Sequence, residues 1–225
     1  MNPSRKKVTF PCGNLLLEGI LHTFDEPEPR PAVVVCHPHP QFGGTMHNTI
    51  VVSVCEQLAD RGITALRFNF RGVENSQGTY GEGVDEVEDV RAAVTYLTSL
   101  PNSENGRIGV AGYSFGSHVG LREAVQDGRV CAVAGISPAI AVNDFSFLKQ
   151  YTRPKFLIAG ERDEFVPTGQ FLKLIEELPE PKQFELTPFA DHYWGGFQRR
   201  VGIKVSEFFA DVFEKNALTA QDKCV

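Results

Sequence analysis

Short runs of β-branched and apolar residues alternate along this chain with longer stretches whose apolar positions recur at helical spacing. Residues 8–10 and 15–24 read as an opening pair of strands, with Gly13-Asn14 as a tight turn between them. Residues 25–31 (DEPEPRP) form a loop, because repeated prolines deny a ladder its donors. Residues 32–36 (AVVVC) are apolar without alternation, the pattern of a central strand covered on both faces. Ile50, Val51, Val54, Cys55, Leu58 and Ala59 then fall on one helical face, and Gly62 is a fitting terminator. The alternation continues with a strand over 63–70, a helix over 84–97, a strand over 107–111 and a helix from Phe115. Strands over 130–136 and 155–159, a helix over 168–178 and a strand over 183–186 follow. A last helix carries Phe197, Val201, Val205, Phe208, Phe209 and Val212. Such an order calls for an α/β fold, a mostly parallel sheet with helices on both faces and right-handed crossovers.

Length and charge narrow the picture without naming a function. At 225 residues the chain suits one domain, and no composition shift or repeat marks a boundary. Residues 1–215 are therefore read as one domain and the polar 216–225 as a flexible tail. Lys and Arg number 22 against 28 Asp and Glu, a net charge of −6, which argues against nucleic acid or an anionic membrane as partner. Cys12, Cys36, Cys55, Cys131 and Cys224 contain no C-x-x-C pair, a pattern of free thiols in a reducing compartment. No signal-peptide pattern and no run of apolar residues long enough for a membrane span is present, so a cytoplasmic protein is expected. Oligomeric state is not legible.

Chemistry enters at Gly112-Tyr113-Ser114-Phe115-Gly116, a G-x-S-x-G string lying directly after a strand (RIGVA) and before a helical stretch. That is the setting of a nucleophile elbow, where a turn too sharp for flanking side chains lifts a serine to the carboxyl edge of the sheet. Read without chemistry, the same serine is only a helix cap at a Gly-rich turn. A serine hydroxyl needs a base, and the base an orienter. Asp163 lies just past the carboxyl end of the strand over 155–159, and His192 follows the strand over 183–186 through a short loop. Ser114, Asp163 and His192 thus stand after three different strands on one edge. Asp163 has rivals in Glu161, Asp144 and Asp191; neighbouring side chains point apart, which disfavours Asp191, and Asp144 sits well into a connecting segment.

These residues, with HPHPQFGGTM (37–46), NFRG (69–72), GERDEFVP (160–167) and ADHYW (190–194), make the chain similar to the α/β-hydrolase superfamily over nearly its whole length. More closely, it resembles a small, lidless group of serine esterases related to dienelactone hydrolases. The resemblance implies the α/β-hydrolase fold without a cap domain, Ser114 as nucleophile, His192 as general base and Asp163 as its orienter. It implies an oxyanion hole built from the Phe115 N–H and one N–H of the HPHP loop. Pro38 and Pro40 have no N–H, which leaves His39 first, with Gln41 and Phe42 behind it. Two departures stand out. Glu74 occupies a position where the group commonly has glycine, and dienelactone hydrolases themselves carry a cysteine where this chain has Ser114.

The expected substrate is a small ester, thioester or lactone, with no cofactor and no metal. Only residues 137–154 separate two strands at the place where lidded relatives insert a cap, so an open site is expected. Gln41, Phe42, Tyr113 and Trp194 are candidate substrate contacts. His37 and His39, with His47 or His118, admit a zinc reading, but the flanking prolines favour a rigid loop with His37 hydrogen-bonded beneath it. His118 reads as structural. Arg71 either fixes loops or meets an anionic substrate, and Asp85, Glu86, Glu88 and Asp89 read as a solvated first turn of a helix. The rival readings are a peptidase or acyltransferase of the same fold and a non-catalytic binding module.

Overall fold

In a covered strand the two-residue side-chain period sends neighbours to opposite faces, and β3 (Arg30–Cys36) shows both. Its Ala32, Val34 and Cys36 join one core cluster, and Val33 and Val35 the other, all fully buried. Each buried valine contributes about 1.5–3 kcal/mol. The computed structural model describes residues 3–221, and the same two-sided logic runs through it. The sheet has eight strands in the order β1-β2-β4-β3-β5-β6-β7-β8. β1 (Ser4–Cys12) and β2 (Leu15–Thr23) form an antiparallel hairpin, and β2 runs antiparallel to β4 (Thr64–Phe68). From β4 onward, through β3, β5 (Ser103–Tyr113), β6 (Val130–Ile136), β7 (Lys155–Gly160) and β8 (Lys182–Thr187), every pairing is parallel.

Helices α1 (Thr49–Asp60) and α5 (Gln198–Gln221) cover one face. Helices α2 (Glu86–Ser99), α3 (Phe115–Ala124) and α4 (Thr168–Glu177) cover the other. This is the mostly parallel, doubly covered sheet expected from the alternation, and the α/β-hydrolase architecture that the resemblance implies. The segment 137–154 holds only a short 3₁₀ turn, Ser146–Gln150, so no cap covers the carboxyl edge of β5. Helix α5 continues to Gln221, so residues 216–221, expected as tail, are helical; residues 222–225, with Cys224, lie outside the described residues. No helix among the described residues is long and apolar enough to cross a membrane.

The expected solvated turn of α2 holds for Asp85 and Glu88, which are exposed, and is corrected for the other two. Glu86 and Asp89 are fully buried, because each meets donors that the loop before the helix aims inward. Glu86 accepts the Gly81 and Gly83 N–H groups at 2.7 and 2.8 Å. Asp89 accepts Nε and Nη2 of Arg71 at 2.9 and 2.7 Å, the Arg71 N–H, and the Cys12 thiol. Arg71 is thereby a loop-fixing residue. A buried carboxylate persists only when paired and hydrogen-bonded in this way.

Candidate active site

The turn between β5 and α3 is the tightest point of the chain. Ser114 takes φ 53° and ψ −116°, a conformation that costs a non-glycine residue on the order of 1–3 kcal/mol. Its N–H is held by the Ile136 carbonyl at 2.9 Å, and its carbonyl accepts the Ser117 N–H and Oγ–H at 3.0 and 2.6 Å. The flanking glycines are required by contact. A Cβ at Gly112 would run into the Gly116 carbonyl, and one at Gly116 would lie 2.5 Å from the carbonyl oxygens of both Cys36 and His37. The Ser114 hydroxyl caps nothing. It lies 2.9 Å from His192 Nε2 instead.

His192 Nδ1 is 2.9 and 3.0 Å from the two oxygens of Asp163, whose side chain is fully buried. With Nδ1–H donated to Asp163, Nε2 is left to accept the Ser114 hydroxyl proton. Three residues from three strand ends therefore form one hydrogen-bonded chain, as the chain order suggested. The rival acids are occupied otherwise. Asp144 caps the N–H and hydroxyl of Ser146 at 2.8 and 2.7 Å, and Asp191 accepts the N–H groups of Tyr193 and Trp194 at 3.0 and 2.9 Å. Glu161 is exposed. Asp191 thus shapes the turn that carries His192, and the Tyr113 hydroxyl donates to the His192 carbonyl at 2.7 Å from below.

Two of the four candidate substrate contacts are corrected. Tyr113 is buried and spends its hydroxyl on the His192 backbone. Trp194 is fully buried in the cluster beneath α5, with Nε1–H donated to Ser137 Oγ at 2.9 Å. Its left-handed backbone, φ 58°, turns the indole inward although its neighbour His192 faces the site. Gln41 and Phe42 lie on the exposed 3₁₀ turn Pro40–Phe42 of the HPHP loop, and Phe42 is 86% exposed.

On that loop the Gln41 N–H donates to His39 Nδ1 at 3.2 Å and the Phe42 N–H to the His39 carbonyl at 3.1 Å. Both are spent, so of the three candidate donors on this loop only the His39 N–H makes no hydrogen bond among the described residues. The Phe115 N–H, first of α3, has no partner within its helix. The His39 ring is 3.2 Å from the Tyr80 hydroxyl through Nε2 and packs on Phe42, Tyr80 and Phe115 at 4.7, 5.3 and 4.9 Å between centroids. Tyr80 is a site residue that no sequence motif pointed to, whereas Phe165, 4.7 Å from the His192 ring, lies within the GERDEFVP string.

His37 is buried, with Nδ1–H donated to the Pro38 carbonyl at 2.6 Å and Nε2 accepting the Phe70 N–H at 3.1 Å. Both ring nitrogens are used, and among the described residues no group of three His, Cys, Asp or Glu gathers around a common point. His118 packs on Phe145 and Phe147. Glu74 takes φ 48°, the left-handed conformation that glycine adopts without cost, and its Oε2 accepts Asn69 Nδ2–H at 2.7 Å.

Burial, above other causes, holds His37 and His22 at pKa values of about 4. An unfolded chain takes up these protons near pH 6.5 while the folded one refuses them until about 4. Stability is therefore expected to fall as pH drops from about 6.5 to about 4, read as a falling urea midpoint. A midpoint rising across that window contradicts the assignment.

The sequence pattern of the "Dienelactone hydrolase family" matches residues 17–215. The chain belongs to that family. It is 33% identical over 173 residues to an uncharacterized protein of Rickettsia prowazekii, covering 73% of this chain and 72% of that one. It spans about half the length of several other curated relatives it matches. Among solved structures it is similar to an alpha-beta serine hydrolase homologue from Coxiella burnetii, with TM-score 0.79 and 30% identity over 92% of this chain and 96% of that one. It is likewise similar to an a/b serine hydrolase without lid from Xanthomonas campestris, with TM-score 0.79 and 26% identity over 92% and 94% of the two chains. Membership in this family makes the protein an α/β-fold hydrolase.

Proposed function

We propose that this member of the dienelactone hydrolase family is a serine carboxylesterase acting on small acyl esters, thioesters or lactones. The observation that carries the reading is the Ser114–His192–Asp163 chain, closed at 2.9 Å on both sides of the histidine and mounted on a strained turn. His192 takes the Ser114 proton as Oγ attacks the carbonyl carbon, and Asp163 stabilises the imidazolium that forms. The developing oxyanion sits between the Phe115 and His39 N–H groups, each worth about 3–4 kcal/mol of transition-state stabilisation. Collapse of the tetrahedral intermediate expels the alcohol, thiol or enol, which receives the proton from His192. Water, deprotonated by the same histidine, then releases the acid from Ser114. The open carboxyl edge suits small acyl groups over long chains.

Stopped-flow mixing with nitrophenyl acetate and butyrate tests this. A burst of nitrophenolate of about one equivalent per chain, followed by steady turnover, is expected if the acyl-enzyme accumulates. Absence of both burst and turnover would overturn the reading.

A further inference from the structure

Around Ser114 the carboxyl edge is unusual in two ways at once. Of the eight large apolar side chains exposed among the described residues, five stand on loops that follow β3, β4, β6 and β8: Phe42, Val84, Val142, Phe189 and Tyr193. Single exposed apolar residues are ordinary, but five on the loops at one sheet edge, the edge that carries Ser114, are not. The side chains packed on the His39 and His192 rings are aromatic. Phe42 and Tyr80 flank the His39 ring on the oxyanion side, while Phe165 and Tyr193 lie 4.7 and 5.7 Å from the His192 ring on the other. Phe42 and Tyr193 are 86% and 67% exposed, so their ring faces meet water rather than protein.

These loops, with the one after β7, are acidic. Glu82, Asp85, Glu161, Glu164 and Asp191 are exposed there. Of the basic side chains there, Arg71 is paired with Asp85 and Asp89, Lys149 with Glu177, and Arg153 donates to the carbonyls of Val125, Asp127 and Val130, while Arg162 lies over the Phe189 ring at 5.1 Å and keeps its charge. One exposed arginine, Arg162, stands against five exposed carboxylates, so the edge stays negative and the summed field repels a carboxylate.

Resting on the esterase reading above, we infer that the site selects esters bearing a neutral aromatic ring and discriminates against esters bearing a carboxylate. The ring lies against Phe42 on the oxyanion side of Ser114, and each ring pair formed favours an aromatic group over a saturated one of equal size about three- to tenfold. The acidic fringe sets the second preference, which acts through solvent and weakens with salt.

The test compares kcat/KM for ethyl phenylacetate and ethyl cyclohexylacetate, each normalised to its alkaline hydrolysis rate. Ethyl butyrate and ethyl hemisuccinate form the second pair. The aromatic ester is expected to lead by about three- to tenfold, and Phe42→Leu, which keeps an apolar side chain and removes the ring, to bring that ratio toward one. The hemisuccinate is expected to lag at low ionic strength, with the gap narrowing in added salt. Thermal melting of Phe42→Leu checks that the loop still folds. If all four esters turn over and the aromatic ratio is near one in the wild type, or stays high in Phe42→Leu, the inference fails while the esterase reading stands. A hemisuccinate that matches or outruns butyrate overturns the charge preference. If no ester turns over and Ser114 takes no phosphonate, the esterase reading itself fails.

Discussion

Ser114→Ala is expected to lower kcat for nitrophenyl acetate on the order of 10⁵–10⁶-fold, while leaving the unfolding free energy from urea titration within about 0.5 kcal/mol of wild type. The two halves of that result belong together. The hydroxyl makes its only side-chain hydrogen bond to His192 and caps no backbone donor, so its loss costs chemistry and almost no structure. The strained φ of 53° is kept by alanine, because the Ile136 carbonyl and the Ser117 contacts hold the backbone, not the side chain. Asp163→Asn completes the hierarchy with a loss on the order of 10⁴-fold. An amide at that position accepts at one atom and donates at the other, so His192 is no longer held in the tautomer that presents Nε2 to Ser114. A Ser114→Ala protein that kept its turnover would place the chemistry elsewhere.

Gly112→Ala is expected to destabilise the fold by about 3 kcal/mol or more and to remove activity in whatever folds. The added Cβ meets a backbone carbonyl of the first turn of α3, which cannot move without taking Ser114 with it. Gly169→Ala is the matched comparison. Gly169 lies inside α4 with nothing within 4 Å of an added Cβ, and alanine there is expected to stabilise by about 0.5–1 kcal/mol. Urea titration of the two variants checks both signs. Equal effects would mean that the elbow is not the close-packed turn described.

Much of this architecture was legible before any coordinates, because hydrophobic period is a local property. The uninterrupted AVVVC run marks a strand buried on both faces, and β3 buries every one of those residues. The triad was legible for a different reason. A parallel sheet brings the ends of β5, β7 and β8 to one edge, so residues distant in sequence but each just past a strand converge there. Trp194 shows the limit of such reasoning. Its nearness to His192 suggested the pocket, but a single positive φ reversed the side chain into the core. Glu86 and Asp89 read as solvated because dipole arguments apply to any helix start, while their burial depends on Arg71 and two backbone N–H groups of the preceding loop and on Cys12 of β1. Tyr80 meets His39 across 41 residues of chain, a contact without any sequence signature.

The central claim is that Ser114 is an activated nucleophile. Its most direct test is treatment of the native protein with a fluorophosphonate, followed by peptide mass spectrometry. The account predicts one adduct per chain, on the peptide containing Ser114, formed far more slowly in His192→Ala. A protein left unmodified, or an adduct found on any other residue while Ser114 stays free, would contradict it.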